Sequence, residues 1–148
     1  MTIFHGLNNS ASALTAQRLR MDVISSNMAN VDTTRGEYVN GEWQPYKRKM
    51  VVTQENEGQF TNLLNKAMDK NAGNGVKVAR IVEDNTPTKL VFNPEHPDAN
   101  DEGFVEMPNV DPLKEMVDLI SATRSYEANV TVFNASKGLL MKSLEIGK

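Results

Sequence analysis

The stretch from Pro112 to Ile146 constrains the fold most, because its side chains have the periodicity of one long helix. Its seam residues recur at alternating steps of three and four, which keeps them on one side of a helix and suits packing against a second helix. We call these positions the C-terminal seam: Met116, Leu119, Thr123, Tyr126, Val130, Phe133, Lys137, Leu140 and Leu144. Such a helix is about 50 Å long at ~1.5 Å per residue, more than a small compact enzyme requires.

The sequence also marks the two ends of this helix. Asp111 stands before Pro112, and an aspartate cap followed by a proline, which has no N–H to leave unpaired, is a common helix start. Glu115 places a negative charge in the first turn, where it suits the helix dipole. Gly147 is expected to close the helix. Gly138 lies inside it, and a residue this small would let another helix approach closely.

A second helical pattern predicts a helix from about Leu7 to Met28. Its positions, the N-terminal seam, are Ile3, Leu7, Ser10, Leu14, Gln17, Met21, Ile24 and Met28. Two amphipathic faces leave water most simply by meeting each other, so we expect an antiparallel coiled coil of the terminal helices. Periodicity alone fits one helix of an intramolecular bundle equally well. Because two helices bury little apolar surface, we expect them to be poorly ordered in the monomer and to become ordered on assembly.

The residues between the helices predict a small β-rich unit with long loops, which makes the fold class α+β. Asn40-Gly41 has the signature of a two-residue hairpin between Tyr38 and Trp43. The other predicted elements are strands at 46–53, 76–82 and 90–92, a short helix at 60–68, and a flexible turn at 71–75. The expected domains are 1–36 for the N-terminal helix and its motif, 37–107 for the β-rich unit, and 108–148 for the C-terminal helix.

Composition argues against most chemical functions. The chain has 148 residues, a formal net charge of −3 and no cysteine, so thiolate chemistry and disulfides are excluded and nucleic acid is not an expected partner. No apolar run is long enough to cross a bilayer, and no cleavable signal peptide is visible, which by itself predicts a cytoplasmic protein. Asp98 to Gly103 resembles the start of a calcium loop, but Asn109 stands where its final glutamate belongs. We therefore predict no catalytic site, no metal and no cofactor.

Two short motifs stand out, Ser25 to Thr33 where the first predicted helix ends and Arg124 to Asn129 in the last one. Both resemble motifs of bacterial flagellar rod and hook proteins. Ser25 to Thr33 resembles the Ser-x-Asn-x-Ala-Asn-x-x-Thr motif that follows the first helix in this family, and Arg124 to Asn129 resembles the Arg-x-Tyr-Glu-Ala-Asn motif of the last helix. The lead-in at 96–113 and the ending at 134–147 are similar to those of a proximal rod member. The likeness covers roughly residues 1–36 and 76–148, and the segment 37–75 carries little of it.

The resemblance implies a structural subunit of the flagellar basal-body rod, which transmits torque for motility, and no enzymatic activity. It implies export through the flagellar type III apparatus with an uncleaved N-terminus, which would account for the missing signal peptide. The implied partners are copies of the chain, other rod subunits, basal-body adaptor proteins and the export apparatus, without membrane insertion. The alternative is a self-contained helical adaptor or export chaperone that uses the same helix pair.

The seams and motifs together give the predicted partner-binding residues. In the N-terminal region they are Leu7, Leu14, Met21, Ile24, Asn27, Ala29, Asn30 and Thr33. In the C-terminal helix they are Met116, Leu119, Arg124, Tyr126, Glu127, Asn129, Val130, Phe133, Leu140 and Leu144.

Overall fold

Two long helices flank a β-rich middle in the computed structural model, which describes residues 4–39, 41–56 and 75–147. Helix α1 spans Phe4–Ala29 and helix α2 spans Pro112–Ile146. The predicted α+β class with helical ends is therefore confirmed. The predicted cap is also confirmed, since the Asp111 carboxylate accepts a 3.0 Å hydrogen bond from the backbone N–H of Leu113. Gly147 follows α2 with a φ of −86°, so the helix ends without a left-handed cap.

In the described part of the middle, the strands form three separate two-stranded antiparallel sheets. The strands are β1 (Glu37–Val39), β2 (Glu42–Gln44), β3 (Lys49–Glu55), β4 (Val76–Glu83), β5 (Lys89–Phe92) and β6 (Phe104–Met107). They pair as β1–β2, β3–β4 and β5–β6.

The sequence predicted most of these strands. Val39 pairs with Glu42 and Gly41 has a φ of +95°, as the predicted two-residue hairpin requires. The third strand starts at Lys49 rather than at position 46, because the backbone N–H of Tyr46 donates to the Thr33 carbonyl at 3.1 Å. The sequence reading missed β6. The predicted helix at 60–68 and the turn at 71–74 lie outside the described residues, as does Asn40.

Helix α1 packs against α2 on one side and against β3 and β4 on another. The apolar core of the described chain is small, and its buried members are Ala16, Val23, Ile24, Val105, Val110 and Ala122. No described residue of the N-terminal seam is exposed, whereas Met116, Lys137 and Leu144 of the C-terminal seam are. Within the described ranges, neither helix carries the long uncharged apolar run that crossing a membrane would need.

The three predicted domain ranges remain a prediction, although the helices and strands fall within them as expected.

Candidate assembly interface

Helix α2 presents large apolar side chains on the side that faces away from its buried residues. Leu113, Val117 and Ile120 follow one another at steps of four and three, and their exposed fractions are 72%, 61% and 57%. The buried residues of the same helix, Glu115 and Ala122, lie on the opposite side. We call Leu113, Val117 and Ile120 the outer stripe. An apolar stripe of this length on a helix is a candidate contact surface.

Asn27, near the end of α1, lies at the centre of a buried polar junction. Its side chain is 1% exposed and makes every hydrogen bond that an asparagine amide can make. Oδ1 accepts from the Lys49 N–H at 2.9 Å and from the Tyr46 hydroxyl at 3.0 Å. Nδ2 donates to the Lys49 carbonyl at 2.8 Å and to Glu115 Oε2 at 3.1 Å. One side chain thus ties α1 to the start of β3 and to the first turn of α2.

Glu115 is completely buried, and its other carboxylate oxygen accepts a 2.6 Å hydrogen bond from Arg48 Nε. The Arg48 guanidinium also lies 3.6 Å from Asp84 and 3.8 Å from Asp118. Asp118 accepts in turn from Arg20 of α1 at 3.2 Å. Because a buried carboxylate is costly unless it is paired and hydrogen-bonded, these contacts fix the position of the α2 first turn.

Asp84 and Asn109 complete the junction on the β-rich side. The backbone N–H and the hydroxyl of Thr86 donate to Asp84 at 3.0 and 2.9 Å. They hold the pKa of this carboxyl below its ordinary value, and the Arg48 guanidinium lowers it further. Asn109 Oδ1 accepts from the Arg48 N–H at 3.0 Å, and its Nδ2 donates to the Thr86 hydroxyl at 2.7 Å. The chain leading into α2 is therefore held by Arg48, just before β3, and by Thr86, in the loop after β4.

The first motif turns the chain out of α1 by local hydrogen bonds. Asn30 Nδ2 donates at 2.8 Å to the Ser26 carbonyl, which also accepts from the Asn30 N–H at 3.2 Å. The Thr33 hydroxyl donates to Asn30 Oδ1 at 3.2 Å. Ala29 is exposed, Asn30 and Thr33 are half-buried, and Asn27 belongs to the junction. Of these four predicted contact residues, Ala29 is the most accessible.

The second motif divides between the two sides of α2. Arg124 and Glu127 are exposed and form an ion pair at 3.2 Å, which is worth little in stability because solvent screens it. Tyr126 and Asn129 are half-buried, and Asn129 Nδ2 donates to the Ser125 carbonyl at 2.8 Å. The motif thus offers one charged pair to the surroundings of the chain.

The remaining predicted contact residues are mostly half-buried. Ile24 is buried, and Met116 and Leu144 are exposed. The half-buried residues are Leu7, Leu14, Met21, Leu119, Val130, Phe133 and Leu140. Sequence reasoning missed Arg48 and assigned Glu115 only a helix-dipole role. A glutamate in the first turn of a helix is usually solvated, so no sequence signal distinguished this one.

The loop at 98–103 uses its oxygens within the chain. Asp98 accepts from the Thr34 hydroxyl at 2.7 Å and from the Arg35 Nε at 2.7 Å, and Arg35 Nη2 also donates to it. The Asn100 Oδ1 accepts from the N–H groups of Glu102 and Phe104. Two of the oxygens that a calcium loop would offer are thus engaged by protein donors. No group of three metal-ligating side chains gathers anywhere in the described ranges.

Comparisons with known proteins agree with this architecture. A family model described as "Flagella basal body rod protein" matches residues 7–35, and one described as "Flagellar basal body rod FlgEFG protein C-terminal" matches residues 101–146. The two matches cover α1 with the first motif, and α2 with the strand before it.

Relatives that match over the whole chain identify the family more narrowly. The flagellar basal-body rod protein FlgC of Bacillus subtilis is 66% identical over 100% of both chains. FlgC of Borreliella burgdorferi is 42% identical over 99% of this chain and 98% of the relative, and FlgC of Escherichia coli O157:H7 is 42% identical over 100% of both. Rod proteins are structural components, which agrees with the prediction of a non-enzymatic subunit. The chain therefore belongs to the FlgC family of flagellar basal-body rod proteins.

Proposed function

We propose that this chain, a structural subunit of the flagellar basal-body rod, joins its neighbours through the outward side of its terminal helices. The exposure of the outer stripe carries the proposal. Leu113, Val117 and Ile120 are each more than half exposed in the single chain, although burying one such side chain is worth about 1.5 to 3 kcal/mol. A neighbouring subunit that covers the stripe would gain this free energy.

The same proposal includes the pairing of α1 with α2 as an antiparallel coiled coil. Three contacts support it, because Arg20 and Met21, which precede Asn27 on α1, both meet residues of α2 that follow Glu115, the partner of Asn27. Asn27 meets Glu115, Arg20 meets Asp118, and Met21 meets Thr123, whose hydroxyl lies 3.6 Å from the Met21 sulfur. Of the seam positions between these contacts, Ile24 is buried, Leu119 is half-buried and Met116 is exposed. A pair of this kind has surface to share with helices of neighbouring subunits.

The proposed partners are copies of this chain and other rod and basal-body subunits, including adaptor proteins. Passage through the flagellar type III export apparatus before assembly is also part of the proposal, with the N-terminal region as its uncleaved signal. A small apolar core supports this, since a chain that buries few residues is easily held unfolded during transport. The assembled rod would then carry motor torque through its packed helices.

The contact residues divide into two proposed classes. Residues that are exposed in the single chain would meet neighbours directly: Ala29, Met116, Arg124, Glu127 and Leu144. Half-buried or buried residues of the seams and motifs would shape the helix pair and contact neighbours only at their free edges. The outer stripe, which the sequence reading did not include, adds to the first class.

The test is Ile120→Asp in Bacillus subtilis that lacks its own FlgC and carries this chain. Ile120 is 57% exposed, so the substitution should leave the purified chain folded and still place a charge inside the proposed contact. We expect loss of hook–basal bodies in electron micrographs and loss of motility. Asn85→Asp is the control, because Asn85 is also exposed but lies in the loop between β4 and β5, outside the terminal helices. Normal basal bodies with Ile120→Asp would reject the outer stripe as a contact surface.

A further inference from the structure

We infer that Asn27, Arg48 and Glu115 act together as a register lock, which fixes where α2 lies along α1. This lock determines which side chains α2 directs outward. Only the expected effect of this lock on assembly rests on the proposed function. The lock itself is a property of the single chain.

The rest of the contact between the helices does little to choose one register. Apart from Asn27 and Glu115, the buried side chains of the two helices are small or aliphatic: Ser10, Ala16, Val23 and Ile24 on α1 and Ala122 on α2. Around them lie half-buried flexible or small side chains such as Met21 and Thr123. Residues of this kind can repack after a helix slides by one turn, about 5.4 Å, because none requires one particular partner.

The three polar residues do require particular partners. Glu115 is 0% exposed, and its two carboxylate oxygens are held by different elements, Arg48 at the start of β3 and Asn27 at the end of α1. A one-turn slide would carry this carboxylate out of hydrogen-bond range of both donors. It would also leave the Asn27 amide, which is saturated in the native arrangement, with a lost partner. Buried charges and amides without partners are strongly unfavourable, so displaced registers are disfavoured.

Specifying the register is a different property from providing stability. Apolar residues of similar volume can replace a buried ion pair without loss of stability, whereas buried polar groups are best known for selecting one alignment of packed helices. Arg48→Met with Glu115→Met should therefore give a chain that still melts cooperatively but no longer holds one alignment. Asn27, Arg48 and Glu115 are thus positioning residues.

Cysteine pairs can measure the alignment, because the natural chain contains no cysteine. Met21→Cys with Thr123→Cys reports the native alignment, since these side chains are in contact. Met21→Cys with Tyr126→Cys reports a helix displaced by about one turn, since Cα atoms must lie within about 7 Å for a disulfide. Each pair is introduced into its own full-length chain, and the yield of intramolecular disulfide after mild oxidation is measured by mass spectrometry. The readout is the yield of the displaced pair divided by the yield of the native pair.

We expect this ratio to be low in the otherwise natural chain and to rise by at least about tenfold with Arg48→Met and Glu115→Met. Lys142→Met with Glu145→Met removes an exposed ion pair from α2 and should leave the ratio unchanged. A ratio unchanged by the Arg48 and Glu115 substitutions would overturn the lock. So would a natural chain that forms the displaced disulfide as readily as the native one.

A second variant keeps the inference testable if the double methionine variant does not fold. Glu115→Gln keeps the shape of the side chain and can still accept from Arg48 or from Asn27. We expect it to raise the ratio less than Glu115→Met does, while a purely volume-filling role for Glu115 predicts equal ratios, because glutamine and methionine have similar volumes. An altered alignment should also abolish basal bodies. If basal bodies vanish with Ile120→Asp but the disulfide ratio stays unchanged in the lock variants, the proposed contact stands and the lock falls.

Discussion

The carboxylate of Asp98 accepts hydrogen bonds from the guanidinium of Arg35, which joins the loop between β5 and β6 to the segment that leaves α1. Their separation of 63 residues in the sequence makes this a tertiary contact. Thr34 donates to the second oxygen of the same carboxylate at 2.7 Å. The first motif and the lead-in to α2 are thereby fastened to each other at a second place, apart from the buried junction.

This contact predicts a specific loss of stability in acid. The hydrogen bond from Arg35 and then that from Thr34 hold the pKa of Asp98 below its ordinary value. Its contribution to folding is therefore present above the unfolded-state pKa of about 3.9 and is lost as the pH falls through the lower folded-state value. We expect the difference in stability between the natural chain and Asp98→Asn to be constant near neutrality and to shrink below about pH 4. Urea unfolding at a series of pH values measures it.

Asp101→Asn is the control for this measurement. It removes an exposed carboxyl from the same loop, and so corrects for the change of one negative charge. A stability difference for Asp98→Asn that stays constant down to pH 2.5 would show that the contact with Arg35 does not contribute to folding.

Breaking one side of the buried junction should cost more than removing both charged partners. Glu115→Ala leaves Arg48 and the Asn27 amide without their carboxylate, and removing one partner of a buried ion pair typically costs about 3 to 5 kcal/mol. Replacing Arg48 and Glu115 together by methionine should cost clearly less. Denaturant titration of the single and double variants, compared with Lys142→Ala on the exposed part of α2, makes the measurement. Equal losses for the single and double variants would contradict this view of the junction.

The sequence predicts the features that neighbouring residues determine, and it fails for features that depend on residues far apart in the chain. The bounds of α2 follow from local signals, the Asp111 cap with Pro112 and an uninterrupted helical pattern. The first hairpin likewise follows from Asn40-Gly41. Strand β6 has only four residues, and its pairing with β5 depends on a partner across a long loop, so local patterning did not reveal it.

The C-terminal seam shows a subtler limit. A strict 3.5-residue repeat drifts by about 20° per heptad on a straight helix of 3.6 residues per turn. The central positions Leu119 to Phe133 therefore face α1, while Met116 and Leu144 at the two ends are exposed. The buried junction could not be predicted for another reason. Glu115 contacts Arg48 and Asn27, which are 67 and 88 residues away in the sequence. A single sequence does not record such pairings.

Order along the two helices should be uneven in the isolated chain. The end that carries Asn27 and Glu115 is held by buried hydrogen bonds, whereas Leu139, Leu144 and Ile146 near the other end of α2 are more than 70% exposed. We expect slow amide hydrogen exchange around residues 115–126 and fast exchange at 139–147, because local opening is easiest where few contacts are buried. Exchange measured by mass spectrometry on the purified chain and on isolated basal bodies tests this.

Assembly should remove most of this difference. If neighbouring subunits cover the exposed part of α2, residues 139–147 become protected in basal bodies while residues 115–126 change little. Equal protection along α2 in the isolated chain would contradict the predicted folding on assembly. It would favour the alternative function, a self-contained helical adaptor.

Gly138→Ala should affect the stability of the single chain and its packing against neighbouring subunits in opposite directions. Gly138 lies on the exposed surface of α2. Among the described residues, no atom other than those of its two chain neighbours and the surrounding helix backbone lies within 4 Å of a methyl group built at this position. Alanine is favoured over glycine in a helix interior by about 1 kcal/mol, so the purified variant should be more stable in thermal unfolding. If a neighbouring helix packs closely at this point, the same methyl group should reduce motility and the yield of basal bodies. Gly6→Ala, at an equally open position in α1, provides the comparison, and normal motility with Gly138→Ala would mean that no helix approaches closely there.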